Sequence, residues 1–250
     1  MNHLVSILII LAAAAPAVAA DLAAAITAED GWVHLAYPAR EGVRSDHQHV
    51  IIDGDEVVIE NDCDDGLIHA TLRVTDGAVE RIDTRSGRPA RRREREARDL
   101  GEISAAGAAT YFFGLADRAG SPEFGEDAIV AAALSDAETW PRLVAIARDR
   151  DRHSAVRESA IFWLGMAAGD KVESELTAIV DDDSEEIEIR EHAVFALHQS
   201  LENDTDRSID TLGRIARENP HPQIRRSALF WLAQHDDPQV VDLFEAILLD

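Results

Sequence analysis

Four side chains in the first third of the chain are of the types that bind metal ions. His47 and His49 are separated by one residue, so on a β-strand both side chains point to the same face. Cys63 and His69 follow further along, and imidazole and thiolate groups are the usual ligands of tetrahedral zinc sites. The spacing matches no established zinc motif, however, and a His-x-His pair also occurs in exposed loops. Two interpretations are open: a metal-binding module, or a hairpin region without metal.

No other pattern in the sequence supplies a catalytic centre or a cofactor site. The acidic segments 53–56 ("DGDE") and 61–66 ("NDCDDG") lack the ligand order of a calcium loop, and we interpret them as structural turns. There is no Gly-x-Ser-x-Gly, no Gly-rich phosphate loop and no His-Glu-x-x-His. The sequence therefore predicts a protein without enzymatic activity and without a cofactor.

The possible ligands lie in a region with the alternation of β-strands. Residues 32–38 ("WVHLAYP") alternate, and two pairs of β-branched runs flank Asp53-Gly54 and Asp76-Gly77. Alternating runs around Asp-Gly are the strongest short-range signal of a β-hairpin. We expect four to five short antiparallel strands within residues 21–84. Because so few residues make a small core, this sheet should pack against the helices that follow.

An arginine-rich segment follows the strands. Residues 85–98 ("RSGRPARRREREAR") contain seven arginines and two glutamates in a chain that is otherwise strongly acidic. Such a segment is either a patch for anions or membrane surfaces, or an exposed linker whose arginines pair with the acidic body. We favour the linker.

One apolar phrase occurs three times in the second half of the chain, at residues 154–166, 188–200 and 223–235. The copies share apolar residues at i, i+4 and i+8, which form one stripe of an α-helix. Phenylalanines also coincide on a different face, and a helix that is apolar on two faces is expected to be buried. Core packing explains Trp163 and Trp231 in the same way. The stripe residues are Val156, Ile189 and Ile224, then Ala160, Ala193 and Ala228, then Leu164, Leu197 and Leu232, and the phenylalanines are Phe162, Phe195 and Phe230.

Each copy is followed by a second amphipathic helix, at residues 173–182, 208–218 and 240–250, and residues 139–149 provide a preceding half-repeat with Thr139 as its N-cap. Helix pairs that recur with a period in the thirties are typical of an α-solenoid, in which each pair buries its apolar face against the next. The predicted fold is therefore mainly α, with about three to four helix pairs in residues 99–250, preceded by the small antiparallel β region.

The repeated "VR..A...L" core resembles a HEAT repeat, specifically the short bacterial type named for phycobilisome-lyase proteins, over residues 137–250. With the N-terminal features described below, the chain is similar to exported bacterial HEAT-repeat proteins. The resemblance implies that Arg157, Arg190 and Arg225 form a ladder with aspartates at neighbouring inter-helix turns, for which Asp149, Asp151 and Asp181–Asp183 are candidates. Residues 218–222 ("ENPHP") lack such an aspartate, which predicts a break in the ladder before the last pair.

The N-terminus has the features of an export signal. Residues 4–15 are apolar, and small residues precede the first acid, Asp21. The apolar stretch is short for a membrane span, and no cysteine follows it that would carry a lipid. We predict a signal peptide at residues 1–20, a periplasmic or secreted mature protein, and no stable membrane insertion.

The charge of the chain limits its partners. With 48 acidic and 24 basic residues the net charge is -24, which repels nucleic acid. A negative edge concentrates at the turn between two predicted helix pairs, and it favours a basic protein or peptide as partner. The members of this acidic edge are Asp181, Asp182, Asp183, Glu185 and Glu186. The sequence thus predicts a non-catalytic interaction scaffold of the cell envelope, with the metal-binding module as the alternative.

Overall fold

The computed structural model describes residues 21–43, 48–53, 56–61, 66–87, 96–167 and 169–249, and for 48–53, 56–61 and 248–249 it describes the backbone alone. The chain divides into two compact units, Met1–Glu138 and Thr139–Asp250. The described residues are mostly helical, and the strands precede the helices. This confirms the predicted class, a mainly α chain with a small β region in front.

The first unit contains a four-stranded sheet and a separate hairpin. The strands are β1 (Gly31–Pro38), β2 (Gln48–Asp53), β3 (Glu56–Asn61), β4 (Leu67–Thr75), β5 (Ala78–Ser86) and β6 (Arg98–Glu102). The sheet has the order β5-β4-β1-β6, and β2 pairs with β3 alone. Both hairpins predicted from Asp-Gly are therefore confirmed. At the β4–β5 turn Asp76 and Gly77 have φ of 51° and 72°, as a type I′ turn requires.

Strand β6 was not expected. It lies parallel to β1 and begins at Arg98, the last residue of the predicted linker, so the sheet is not purely antiparallel. The Arg98 guanidinium donates to the carbonyls of Ala25 and Ile26, which belong to the helical segment 21–26. The arginine-rich segment itself lies mostly outside the described residues.

Helices α1 (Ala105–Asp117) and α2 (Pro122–Ala133) pack on one face of this sheet. That face carries the alternating residues Val33, Leu35 and Tyr37 of β1, all buried. The Tyr37 hydroxyl donates to the carbonyl of Ala131 in α2 at 2.7 Å. The sheet thus obtains its core from the helices that follow it, as its size predicts. The boundary between the units accordingly falls at Glu138, whereas the sequence interpretation assigned all of residues 99–250 to the repeats.

The second unit consists of seven helices among its described residues. They are α3 (Trp140–Ala147), α4 (Ser154–Gly165), α5 (Asp170–Val180), α6 (Ile187–Ser200), α7 (Thr205–Glu218), α8 (Pro222–Leu232) and α9 (Pro238–Leu249). Thr139 precedes α3 as predicted, but its side chain makes no capping hydrogen bond because its backbone is already helical, with φ −93° and ψ −21°. No helix among the described residues of the chain is both long and apolar enough to span a membrane.

The three copies of the repeated phrase form the helices α4, α6 and α8, and α6 packs on both α4 and α8. Each copy packs more extensively on the helix before it, α3, α5 or α7, than on the helix after it. The sequence grouped each copy with its following helix. The difference has a physical cause in the arginine of each copy, as described below.

The shared stripe of the three copies is buried. Its nine residues are at most 6% exposed, and small members such as Ala193 are fully buried. At the end of α4, Gly165 lies so close to α6 that a Cβ atom there would be 2.8 Å from the Ala196 Cα. The helices thus approach each other through small residues. The predicted burial of the phenylalanine face is wrong, however, since Phe162 and Phe230 are 38% and 58% exposed.

Candidate functional site

Of the four predicted metal ligands, the structure positions one side chain. His69 lies on β4 and is 6% exposed, and the backbone of His49 lies on β2. His47 and Cys63 lie outside the described residues. No group of three possible ligands occurs among the residues that the structure describes. The metal site therefore stays a prediction.

His69 instead contacts a histidine that the sequence interpretation did not single out. Nδ1 of His69 lies 3.0 Å from Nε2 of His34, and the two rings are nearly parallel, with centroids 5.2 Å apart. The other ring nitrogen of His34, Nδ1, lies 3.0 Å from the Asp99 carboxylate on β6. The three side chains form a hydrogen-bonded row on the face of the sheet that is opposite to α1 and α2.

Asp99 fixes one proton of this row, the one on His34 Nδ1. The backbone N–H of Gly101 and the imidazole of His34 hold the pKa of Asp99 below its usual range, so this carboxylate is ionised. It accepts a hydrogen bond from His34 Nδ1, and in the tautomer that carries only this proton the lone pair of His34 Nε2 accepts from His69 Nδ1. A metal ion at His69 Nδ1 must displace that proton.

A signal for His34 is present in the sequence. His34 alternates with the apolar residues Val33 and Leu35, which places it on the opposite face of its strand. In the register of β1 and β4, His34 is opposite Thr71, and His69 is opposite Ala36. The two histidines are thus diagonal neighbours. The sequence does not reveal this register.

The second unit contains a buried arginine in each of two repeats. Arg157 of α4 is 1% exposed. Its Nε donates to the carbonyl of Ala147 at the end of α3, at 2.9 Å, and its Nη2 donates to Glu185 at 2.5 Å. The first contact joins the repeat helix to the helix before it, and the second joins it to the turn before α6. This explains the preference of each copy for its preceding helix.

Arg190 of α6 repeats the arrangement one step further along the chain. It is 1% exposed, and its Nε donates to the carbonyl of Val180 at the end of α5, at 2.8 Å. Its Nη2 lies 3.0 Å from Asp183 and donates to the Asn219 Oδ1 at 3.4 Å. Asn219 thus has the same position relative to Arg190 as Glu185 has relative to Arg157, because each lies in the turn before the next repeat helix. The ladder continues here through a neutral amide, although residues 218–222 lack an aspartate.

Arg225 of α8 ends the series. It binds the carbonyls of Asn219 and Pro220, which directly precede α8, at 2.8 Å and 3.1 Å. Of the aspartates proposed as ladder partners, Asp183 pairs with Arg190, while Asp149 pairs with Arg152. The acid that meets Arg157 is Glu185, which the sequence interpretation had placed in the acidic edge.

The acidic edge is largely occupied by arginines of the same unit. Asp181 lies 3.4 Å from Arg214, and Asp182 lies 2.9 Å from Arg150. Asp183 and Glu185 pair with Arg190 and Arg157, as described above. Glu185 therefore has a structural role inside the repeats, whereas the three aspartates form their ion pairs at the surface. Binding of a partner at this edge stays a prediction.

A row of rings crosses the repeat helices on their exposed side. We call it the aromatic stripe. Phe162 stacks on Phe195 with ring centroids 6.3 Å apart, and Phe195 contacts Trp231 with centroids 4.8 Å apart. His198 stacks on Trp231 at 5.0 Å. The stripe consists of Phe162 and Trp163 on α4, Phe195 and His198 on α6, Phe230 and Trp231 on α8, and His235 after α8.

The histidine in the middle of the stripe is an uncharged ring at neutral pH. Burial lowers the pKa of His198, and the neighbouring His235 lowers it further, against the opposing effect of Glu202. The Nδ1 atom of His198 is buried and has no hydrogen-bond partner among the described residues. His198 thus contributes to the stripe as an aromatic surface rather than as a charge.

An open cleft of about 510 Å³ lies between the turns that precede α6 and α8. Its walls carry both charges, with Asp183 and Glu185 on one side and His221 and Arg226 on the other. The two acids already bind arginines. The cleft therefore selects no single class of ligand.

Comparison of the chain with protein-family models, with curated proteins and with solved structures finds no match.

The contact between Arg157 and Glu185 generates a pH-dependent prediction. Burial opposes ionisation of Glu185, but hydrogen bonds from Arg157 and the Glu186 N–H, together with the charges of Arg157 and Arg150, outweigh it and hold the pKa below its usual range. Glu185→Gln should lower the free energy of unfolding at pH 7 by about 3 kcal/mol, because a buried guanidinium loses its counter-charge. A carboxylate with a lowered pKa stabilises the fold at neutral pH and loses this contribution as the pH falls through the lowered value. The difference between wild type and variant, measured by urea unfolding, should therefore shrink as the pH falls below the usual pKa range of a glutamate.

The matched control is Asp182→Asn. This carboxylate pairs with Arg150 on the surface, where its side chain is 44% exposed, and such pairs contribute little to stability. An equal loss in both variants, or a loss in Glu185→Gln that is independent of pH, would contradict the assignment of Glu185 as the counter-charge of Arg157.

Proposed function

We propose that the seven helices of the second unit form a HEAT-like α-solenoid. Three features support this. The repeat helices α4, α6 and α8 are consecutive neighbours, and each packs on the helix before it. The buried arginines Arg157 and Arg190 each join the end of one helix to the turn of the next repeat. A stack of this kind buries its core only between successive pairs.

We further propose that this solenoid is a non-catalytic scaffold for protein–protein interaction. The observation that carries the proposal is the aromatic stripe, whose Phe162 and Phe230 are substantially exposed although they recur at equivalent positions of the repeats. Exposed apolar patches on a soluble surface mark sites of interaction. The partner is a basic protein or peptide, since residues 139–250 carry 23 acidic and 12 basic side chains.

The proposed location is the bacterial cell envelope, in the periplasm or outside the cell. It rests on the apolar segment and the small residues before Asp21. Residues 1–20 lie outside the described residues, so export stays a prediction.

The direct test is to immobilise the mature chain on a matrix and to incubate it with an envelope extract. The bound proteins are then eluted in steps of rising salt. We expect basic proteins to bind at low salt and to be released as the Debye length contracts to about 8 Å. The variant with Asp181, Asp182 and Asp183 changed to Asn shows whether the acidic edge contributes to this binding. Capture of no protein beyond an empty-matrix control, or release that is indifferent to salt, would contradict the proposal.

The alternative function is a metal-binding module in the β region, formed by His69 with His47, His49 and Cys63. The observation that favours it is the carboxylate–histidine–histidine row. Metal-binding histidines commonly donate their second nitrogen to a carboxylate, as His34 does to Asp99, and Nε2 of His34 would then join His69 in holding the ion. In this alternative, metal binding would replace the proton between His34 and His69.

A zinc titration followed by calorimetry tests the alternative. If the module binds zinc, His69→Ala should abolish binding, and His47→Ala should weaken it. His153→Ala is the control, because His153 lies at the start of α4 in the other unit. A wild-type protein that binds no zinc and stays folded in chelator would exclude this alternative.

A further inference from the structure

The aromatic stripe has the geometry of a binding surface rather than of a core. Its rings contact one another in an unbroken row from Phe162 to Trp231, and Phe230 lies against Trp231 at 4.9 Å. Yet Phe230 is 58% exposed, and Met166, one turn beyond Phe162 on α4, is 42% exposed. A hydrophobic core buries such side chains. The row therefore presents aromatic surface to solvent across three repeats.

Acidic side chains flank these rings on the same helix faces. Glu158 lies one turn before Phe162 and 3.6 Å from His192. Glu191 lies one turn before Phe195 and accepts a hydrogen bond from Gln223 at 2.9 Å. Glu202 is close enough to His198 to act on its pKa. The carboxylates thus accompany the stripe on α4 and α6, whereas the equivalent position one turn before Phe230 on α8 is Arg226.

This combination of rings and carboxylates favours some classes of binding partner for the aromatic stripe over others. Two copies of this chain, each with a net charge of -24, repel one another. An anionic partner meets the same repulsion. Cations are attracted, because the face of an aromatic ring is electronegative and the neighbouring glutamates are negative. Among cationic side chains arginine fits best, since its flat guanidinium stacks on a ring and simultaneously binds a carboxylate.

We propose that the aromatic stripe binds a cationic, extended segment of the partner protein, with arginine side chains stacked on the rings and paired with the flanking glutamates. The proposal rests on the proposed scaffold function and names the surface and the chemistry of its partner. The repeat spacing of the rings sets the register, because equivalent positions of α4, α6 and α8 meet successive parts of the segment.

The experiment uses the full mature chain and three synthetic peptides of alternating glycine and a second residue. The second residue is arginine, lysine or citrulline, which is the neutral counterpart of arginine. Affinities are measured by calorimetry at low salt. We expect the arginine peptide to bind most tightly, the lysine peptide less tightly and the citrulline peptide least, because only arginine offers both a charge and a stacking plane.

The variant is Phe162→Ala combined with Phe230→Ala, with Phe230→Ala alone as a milder second variant. Loss of two stacking surfaces should weaken binding of the arginine peptide about tenfold. The matched control is Val241→Ala on α9, because Val241 is also 58% exposed but lies outside the stripe. This control should bind like the wild type, and circular dichroism establishes that all variants are folded.

Three results would overturn the proposal. Equal affinity of the arginine and lysine peptides would show that the stripe recognises positive charge alone and not the stacking plane of arginine. Unchanged binding by the double variant would place the cationic segment elsewhere, while leaving the scaffold function intact. A wild-type dimer in sedimentation equilibrium that the double variant loses would identify a second copy as the occupant. If no cationic peptide binds and the extract yields no basic protein, the scaffold function with a basic partner fails as well.

Discussion

Two buried guanidinium groups set the arrangement of the second unit. An arginine that is 1% exposed cannot be solvated by water, so its donors must find acceptors within the protein. For both Arg157 and Arg190 the acceptors include the last carbonyl of the preceding helix and a side chain in the turn before the next repeat helix, and Arg190 also pairs with Asp183. Each arginine therefore fixes three elements at once. A displacement of any of them would leave a buried donor without its acceptor, at a cost of about 1–3 kcal/mol.

The position of the aromatic stripe on the surface follows from the contacts of the two buried arginines. The same contacts that hold α4, α6 and α8 in register bring their apolar stripe into the core at Ala160, Ala193 and Ala228. The aromatic residues at equivalent positions are then aligned on the opposite side, where the rings stack. The acids of the turns are partly consumed in holding the arginines. In the proposed solenoid, acids of the turns thus pair with arginines of the same unit, whereas the aromatic rings face the solvent.

Local patterns in the sequence predicted the secondary structure well, because periodicity and turn chemistry act over a few residues. The hairpin at Asp76-Gly77 and the buried stripe of the repeats are examples. Contacts between distant residues were not predictable in this way. Strand β6 has no alternation of its own and pairs with β1 through the tertiary fold. His34 meets His69 only because of strand register, and Glu185 was indistinguishable from its acidic neighbours until the position of Arg157 was known.

The central claim is that each buried arginine requires an acceptor in the next turn, and Asn219 allows the most direct test. Its Oδ1 accepts from Arg190 at 3.4 Å, but its buried Nδ2 has no hydrogen-bond partner in the described part of the chain. Asn219→Asp replaces an unsatisfied amide by a counter-charge. In urea unfolding at pH 7 the account predicts a gain in stability of about 1 kcal/mol that disappears when Arg190 is changed to Met. A loss of stability, or the same gain without Arg190, would contradict it.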